Sequence, residues 1–217
     1  MYENAKNGIG KVFTSQILAI LAVICALVAG IFAAVTLTAV DENLTGATFG
    51  GSVGLALFTL ASAVLLVIAF ILEMVGLNVA GRDEPLFKKA FIVSVVGLII
   101  SIVLGALASL TTISWIIDLK DICNFCIGLI IVHHVLYGVA NICPSLSDKA
   151  MSVWKVYMAT IIIAVVVNIV SIVLALLKLY TGSAVLLIVF TLLDAVLQIV
   201  AYVMFVSFLA KAKKEII

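Results

Sequence analysis

The sequence predicts an all-α, polytopic integral membrane protein, a single domain over residues 1–217 with six transmembrane helices in three helical hairpins and both termini cytoplasmic. Three observations predict it. First, 66% of the residues are apolar, 11% are charged and the mean hydropathy is +1.43. Soluble globular chains run at roughly 45–50% apolar and about 25% charged, so water is not the solvent of most of this surface. Second, the apolar residues fall in long runs free of Lys and Arg. Third, the basic residues collect on one side of those runs.

The runs span about 16–40, 52–80, 90–117, 122–142, 156–177 and 183–210, each long enough for the roughly 20 residues a helix needs to cross hydrocarbon. Backbone groups in lipid must be satisfied internally, by a helix or a closed barrel, and the runs lack the period-2 alternation of barrel strands. The first is too long for the 7–15-residue core of a cleaved signal peptide and reads as a retained span. Ten of the twelve basic residues lie on the side of the N-terminus: Lys6, Lys11, Arg82, Lys88, Lys89, Lys149, Lys155, Lys211, Lys213 and Lys214. Only Lys120 and Lys178 lie opposite. Bases accumulate in short cytoplasmic loops, which orients the chain. The compact loops point to a bacterial inner (plasma) membrane.

Each odd-numbered span opens with Lys-x-aromatic: Lys11-Val12-Phe13, Lys89-Ala90-Phe91 and Lys155-Val156-Tyr157. This fits repeated hairpins, and equally an interface where bases snorkel and rings sit in the aromatic belt. Small residues recur at helical spacing as Ala22, Ala26 and Gly30 and as Gly97, Ser101, Gly105 and Ser109. Such ladders let helices approach closely, within the bundle or against a membrane-protein partner or second copy.

Function is sought where polar groups cost free energy. An ionisable group at mid-bilayer costs about 2.5–3.5 kcal/mol on insertion scales and usually faces a cavity or partner. Asp194 lies near the middle of the sixth span, with Gln198 and Tyr202 on the same helical face. Glu73 lies in the cytoplasmic third of the second span. The fourth span carries a polar stripe of Cys123, Cys126, His133, Tyr137 and Asn141, with His134 beside it. A lipid-facing imidazole pair is costly, so this stripe is expected to be enclosed, at about the level of Asp194. Asn168 in the fifth span is expected to join that network. The substrate or ion-binding candidates are therefore Asp194, His133, His134, Glu73, Tyr137, Gln198 and Asn168.

Cys123-Asn124-Phe125-Cys126 opens the fourth span on the outer side, where a helix N-terminus stabilises thiolate and disulfides persist. With His133, the segment resembles the last active-site helix of the vitamin K epoxide reductase and disulfide-bond-forming B families. The resemblance covers about one span. It implies a Cys123/Cys126 redox pair, a four-helix core, a quinone and a second cysteine pair in another outer loop. The outer loop at 41–51 contains no cysteine, and Cys25 and Cys143 lie elsewhere. Tetrahedral zinc takes ligands at about 2.0–2.3 Å, whereas Cys126 and His133 are about 10 Å apart along one helix, so the metal question stays open. No cofactor is indicated.

Three functions follow. The leading one is a transporter or substrate-binding membrane subunit for a small solute or ion, with intramembrane acid and histidine groups. Six short-looped helices with inner termini also look like the substrate-binding subunits of energy-coupling-factor importers. The second is a non-transporting structural or accessory membrane protein, and the third a membrane thiol oxidoreductase; a non-enzyme is favoured. No phosphate-binding loop is present, and the near-neutral total charge with short loops offers no surface for nucleic acid. The lipid bilayer is the one partner the composition demands.

Overall fold

The computed structural model describes the backbone of residues 2–41, 45–110, 114–176 and 180–216, and side chains at 2–37, 50–110, 119–120, 122–163 and 196–216. Among these residues the chain forms six α-helices: α1 (Glu3–Asp41), α2 (Thr45–Ala80), α3 (Pro85–Leu110), α4 (Ser114–Ile142), α5 (Ser147–Leu176) and α6 (Tyr180–Glu215). A 3₁₀ turn, Pro144–Leu146, joins α4 to α5. Over their described residues five of the helices, α1 to α4 and α6, are long and apolar enough to cross a membrane.

Local chemistry sets the breaks. Gly81 follows the last residue of α2, and its N–H bonds to the Leu77 carbonyl at 2.8 Å, closing the helix end. Pro85 then starts α3, where a missing N–H costs nothing. Pro144 cannot continue α4, so the chain turns there. The helices outrun the apolar stretches: α1 begins at Glu3 and carries Lys6 and Lys11 within it, and α6 continues to Glu215. Hydropathy marks where lipid begins, whereas a helix continues until its backbone bonding is interrupted. For the same reason residues 114–117 belong to α4 rather than to the third helix.

Each helix packs against the next, most extensively within the pairs α1/α2, α3/α4 and α5/α6, and α6 returns to pack on α1. α1 and α2 cross closely at two glycines. A Cβ on Gly8 would strike the Gly76 carbonyl, and one on Gly76 would lie 2.6 Å from the Gly8 carbonyl. The ladders found in the sequence contribute unequally. A Cβ on Gly97 would meet Ile127 at 2.6 Å, and Ser101 bonds to Asn124, so this part of α3 packs on α4. Ala22 is buried and its carbonyl accepts a bond from Ser62 of α2 at 2.9 Å, but Ala26 and Gly30 are exposed.

The apolar core gathers at the end holding both termini, where Ile9, Leu77, Phe87, Leu136, Leu146 and Leu209 are fully buried. Hydrogen bonds tie that end together. Asp83 accepts from the Asn4 side chain at 2.9 Å and from the Ala5 N–H at 2.8 Å, capping α1 from the α2–α3 turn. Asn141 of α4 donates to Glu84 at 3.2 Å, and Ser145 donates to Glu215 at 2.8 Å. Outward, large apolar side chains are left uncovered, with Leu27 66% and Leu57 62% exposed. A surface so apolar is at rest only in a nonpolar solvent.

Candidate functional site

Toward the terminal end of the bundle interior is a cavity of about 190 Å³. Its polar lining is Gln16 of α1, Glu73 of α2, Tyr157 of α5 and Tyr202 of α6, and α4 borders it with Gly128, Ile131, Val132 and Val135. The α1–α2 register builds the polar side. The antiparallel pair sets Gly76 against Gly8 and Val12, and farther along α1 the long side chains of Gln16 and Glu73 span the remaining axial offset to meet.

The Gln16 amide Nε2 donates to Glu73 Oε2 at 3.3 Å, and the Tyr202 hydroxyl donates to the Gln16 backbone carbonyl at 2.9 Å. Tyr202 thus ties α6 to α1 beside the carboxylate. Tyr157 is held edge-on to Phe205 of α6, with ring centroids 6.2 Å apart. Among the described residues neither Glu73 Oε1 nor the Tyr157 hydroxyl has a hydrogen-bond partner, and no Lys or Arg pairs with Glu73. One carboxylate, one primary amide and two phenols around a small, partly open space suit a proton or a small cation. They lack the His and Cys donors that transition metals favour, and the described residues contain no cluster of three or more His, Cys, Asp or Glu.

Of the residues singled out in the sequence, Glu73 lines this cavity. His133 and His134 do not join it. The cavity-facing residues of α4, at 128, 131, 132 and 135, share one helical face, and at 100° per residue His133, His134 and Tyr137 point elsewhere. His133 instead packs at 4.8 Å edge-on to Trp154 of α5 and at 4.5 Å to Tyr137. His134 Nδ1 donates to the Ile130 carbonyl of its own helix at 2.7 Å. Tyr137 contacts the Met151 sulfur at 3.9 Å.

Gln198 is exposed and lines a separate groove of about 510 Å³ with Phe125, Thr160 and Ile199, which also reaches Tyr157 and Tyr202. The side chains of Asp194 and Asn168 lie outside the described residues. Cys123 and Cys126 are free thiols in the interior of α4, which starts at Ser114. A helix terminus acts within its first turn, so it does not reach them. Cys143, in the α4–α5 turn, is also free, and burial first, then the Glu215 charge, pushes its thiol pKa up. Gln16, Tyr157 and Tyr202 were not among the sequence candidates. The signal for Tyr202 was its helical spacing from Gln198; nothing in the sequence pairs Gln16 with Glu73.

Comparison with protein-family models, curated proteins and solved structures finds no match to this chain. Its fold and exposed apolar surface define a membrane-embedded, multi-pass helical protein with a polar pocket inside the bundle.

Proposed function

We propose that this protein binds and carries a small cation, the proton included, through the interior of a six-span bundle, with Glu73 as the binding carboxylate. The observation that carries the reading is the Glu73 oxygen that has no partner among the described residues, at the wall of an interior cavity. An ionisable group in this setting is expensive, and one amide does not offset that expense. A cation would. The volume of about 190 Å³ equals about six water molecules at roughly 30 Å³ each, which favours a partly hydrated monovalent ion or a short alkylammonium over a larger solute. An accessory protein with no cargo would instead be expected to pack its interior dry and pair its polar atoms.

In this proposal Gln16 and Tyr202 position Glu73, and Tyr157 offers its hydroxyl to the cargo. Asp194 is a second acidic station on α6, eight residues from Tyr202 and about 12 Å along the helix. Gln198 lies between them along α6, and His133, His134 and Tyr137 support the packing of α4 on α5. Both termini are cytoplasmic in an inner or plasma membrane, because ten of twelve bases lie on their side.

The test is flux. Purified protein in liposomes should move protons, K⁺, Na⁺ or methylammonium faster than empty liposomes, read by a pH- or cation-sensitive dye. Glu73→Gln should cut that flux at least tenfold. Wild-type flux of all four at the empty-liposome rate, or an undiminished rate in Glu73→Gln, would overturn the proposal.

A further inference from the structure

At the terminal end, where α6 closes on α1, lies a groove of about 420 Å³ lined by Lys6, Asn7, Gly10, Lys11, Thr14, Leu72 and Lys213. Three lysines from two helices line it, and among the described residues no Asp or Glu does. Lys213 crosses the seam from α6. Its stem runs over Gly10, whose absent side chain leaves Cε 3.7 Å from where a Cβ would stand. Its Nζ lies 5.7 Å from the centre of the Phe13 ring, a cation–π contact across the same seam. Among the described residues none of the three lysines forms an ion pair.

Like charges gathered at a helix–helix seam repel, and α6 on α1 is the contact that closes the bundle. A bound anion would reverse the sign of that interaction. The face of α1 that carries Lys6, Gly10 and Thr14 continues at helical spacing through Ile17, Leu21 and Ile24, which are 37%, 45% and 50% exposed. One stripe therefore runs from basic and polar at the bundle end to bare aliphatic farther in. That order of chemistry is the order along an anionic phospholipid, from phosphate to acyl chain, and basic pockets between transmembrane helices take such headgroups.

We propose that this groove is a binding site for an anionic phospholipid, its phosphate held by Lys6, Lys11 and Lys213 and one acyl chain lying along Ile17, Leu21 and Ile24. The bound lipid staples α6 to α1. The site is independent of whether Glu73 carries a cargo.

The full-length protein, released from nanodiscs of phosphatidylcholine with one-fifth phosphatidylglycerol, is weighed by native mass spectrometry. A thermal-unfolding titration in detergent then compares added phosphatidylglycerol, phosphatidylcholine and inorganic phosphate. The wild type should retain phosphatidylglycerol in preference to phosphatidylcholine and be stabilised by phosphatidylglycerol alone. Replacing Lys213 by Gln should weaken that affinity about fivefold, and replacing Lys6 or Lys11 likewise, whereas Lys88→Gln/Lys89→Gln, with more charge removed elsewhere at the same end, should leave it unchanged. Equal retention of the two lipids, equal stabilisation by inorganic phosphate, or equal losses in the Lys88/Lys89 and Lys213 variants would each overturn the proposal. The single variants are exposed or half-exposed surface changes, so folding is preserved, and their own unfolding temperature without lipid confirms it.

Discussion

Two polar regions of this bundle invite opposite readings from the chain and from the fold. The α4 stripe concentrates two imidazoles and a phenol on one helix, yet it is absorbed into an aromatic cluster against Trp154. The Glu73 region contributes one polar residue from each of four helices, and these converge on a cavity. Density of polar residues along one helix reports what that helix must hide. Convergence of polar residues from several helices reports a compartment. The second kind is the stronger candidate for a site, because a ligand is held by donors from more than one direction.

The largest effect that tests this contrast is structural. Gly76→Leu should prevent α1 and α2 from meeting at Gly8, since the added side chain has backbone carbonyl in its way. A loss above about 4 kcal/mol is expected for overpacking of that kind, read as loss of the monodisperse species in detergent. If Gly76→Leu folds normally, the register that sets Gln16 beside Glu73 is not held there.

Next comes the direct contrast in ligand binding. Glu73→Gln should cut cation binding or flux at least tenfold, whereas His133→Phe, which keeps an aromatic ring against Trp154, should leave it within about twofold. The reverse pattern would move the site to the α4 stripe. A smaller effect is expected from Tyr202→Phe, which removes one hydrogen bond to the Gln16 carbonyl. That is worth about 1 kcal/mol of stability, seen as a lower unfolding temperature with cation affinity reduced only a few-fold.

The smallest effect lies at the terminal end. The Asn4 side-chain amide, with the Ala5 and Asn4 backbone N–H groups, holds the Asp83 carboxyl below the usual carboxylate range. A depressed native pKa means that this contribution is complete above the unfolded value of about 3.9 and disappears as pH falls through the native one. Wild type should therefore melt slightly above Asp83→Asn at pH 6, and the gap should start to shrink only below about pH 4, closing as pH falls through the depressed native value. A gap that persists undiminished well below pH 4 would show that the cap acts through shape instead of charge.

Much of the architecture was legible in the chain. Long base-free runs mark helices that lipid can surround, because these depend on neighbouring residues alone; the roles of Gly81, Pro85 and Pro144 at the turns emerged only with the structure. Helix ends were less legible. Lys6 and Lys11 are compatible with helix and incompatible with hydrocarbon, so the start of α1 and the start of the apolar run are different events. The site was legible only in part. Glu73 stood out because an acid in an apolar run is costly wherever it is placed, but the same reasoning gave His133 and His134 equal standing.

Solvent class, helical character and the lopsided distribution of bases are additive properties of the residues, and the chain alone settled them. Which polar groups meet was decided by tertiary structure. Gln16 and Glu73 are separated by 57 positions and Gln16 and Tyr202 by 186, and no local pattern encodes such pairs. Two glycines let α1 and α2 approach closely, α6 returns onto α1, and α4 turns aliphatic residues toward the cavity and its imidazoles aside. Helix rotation and interaxial distance are properties of the packed bundle, set by every neighbour at once.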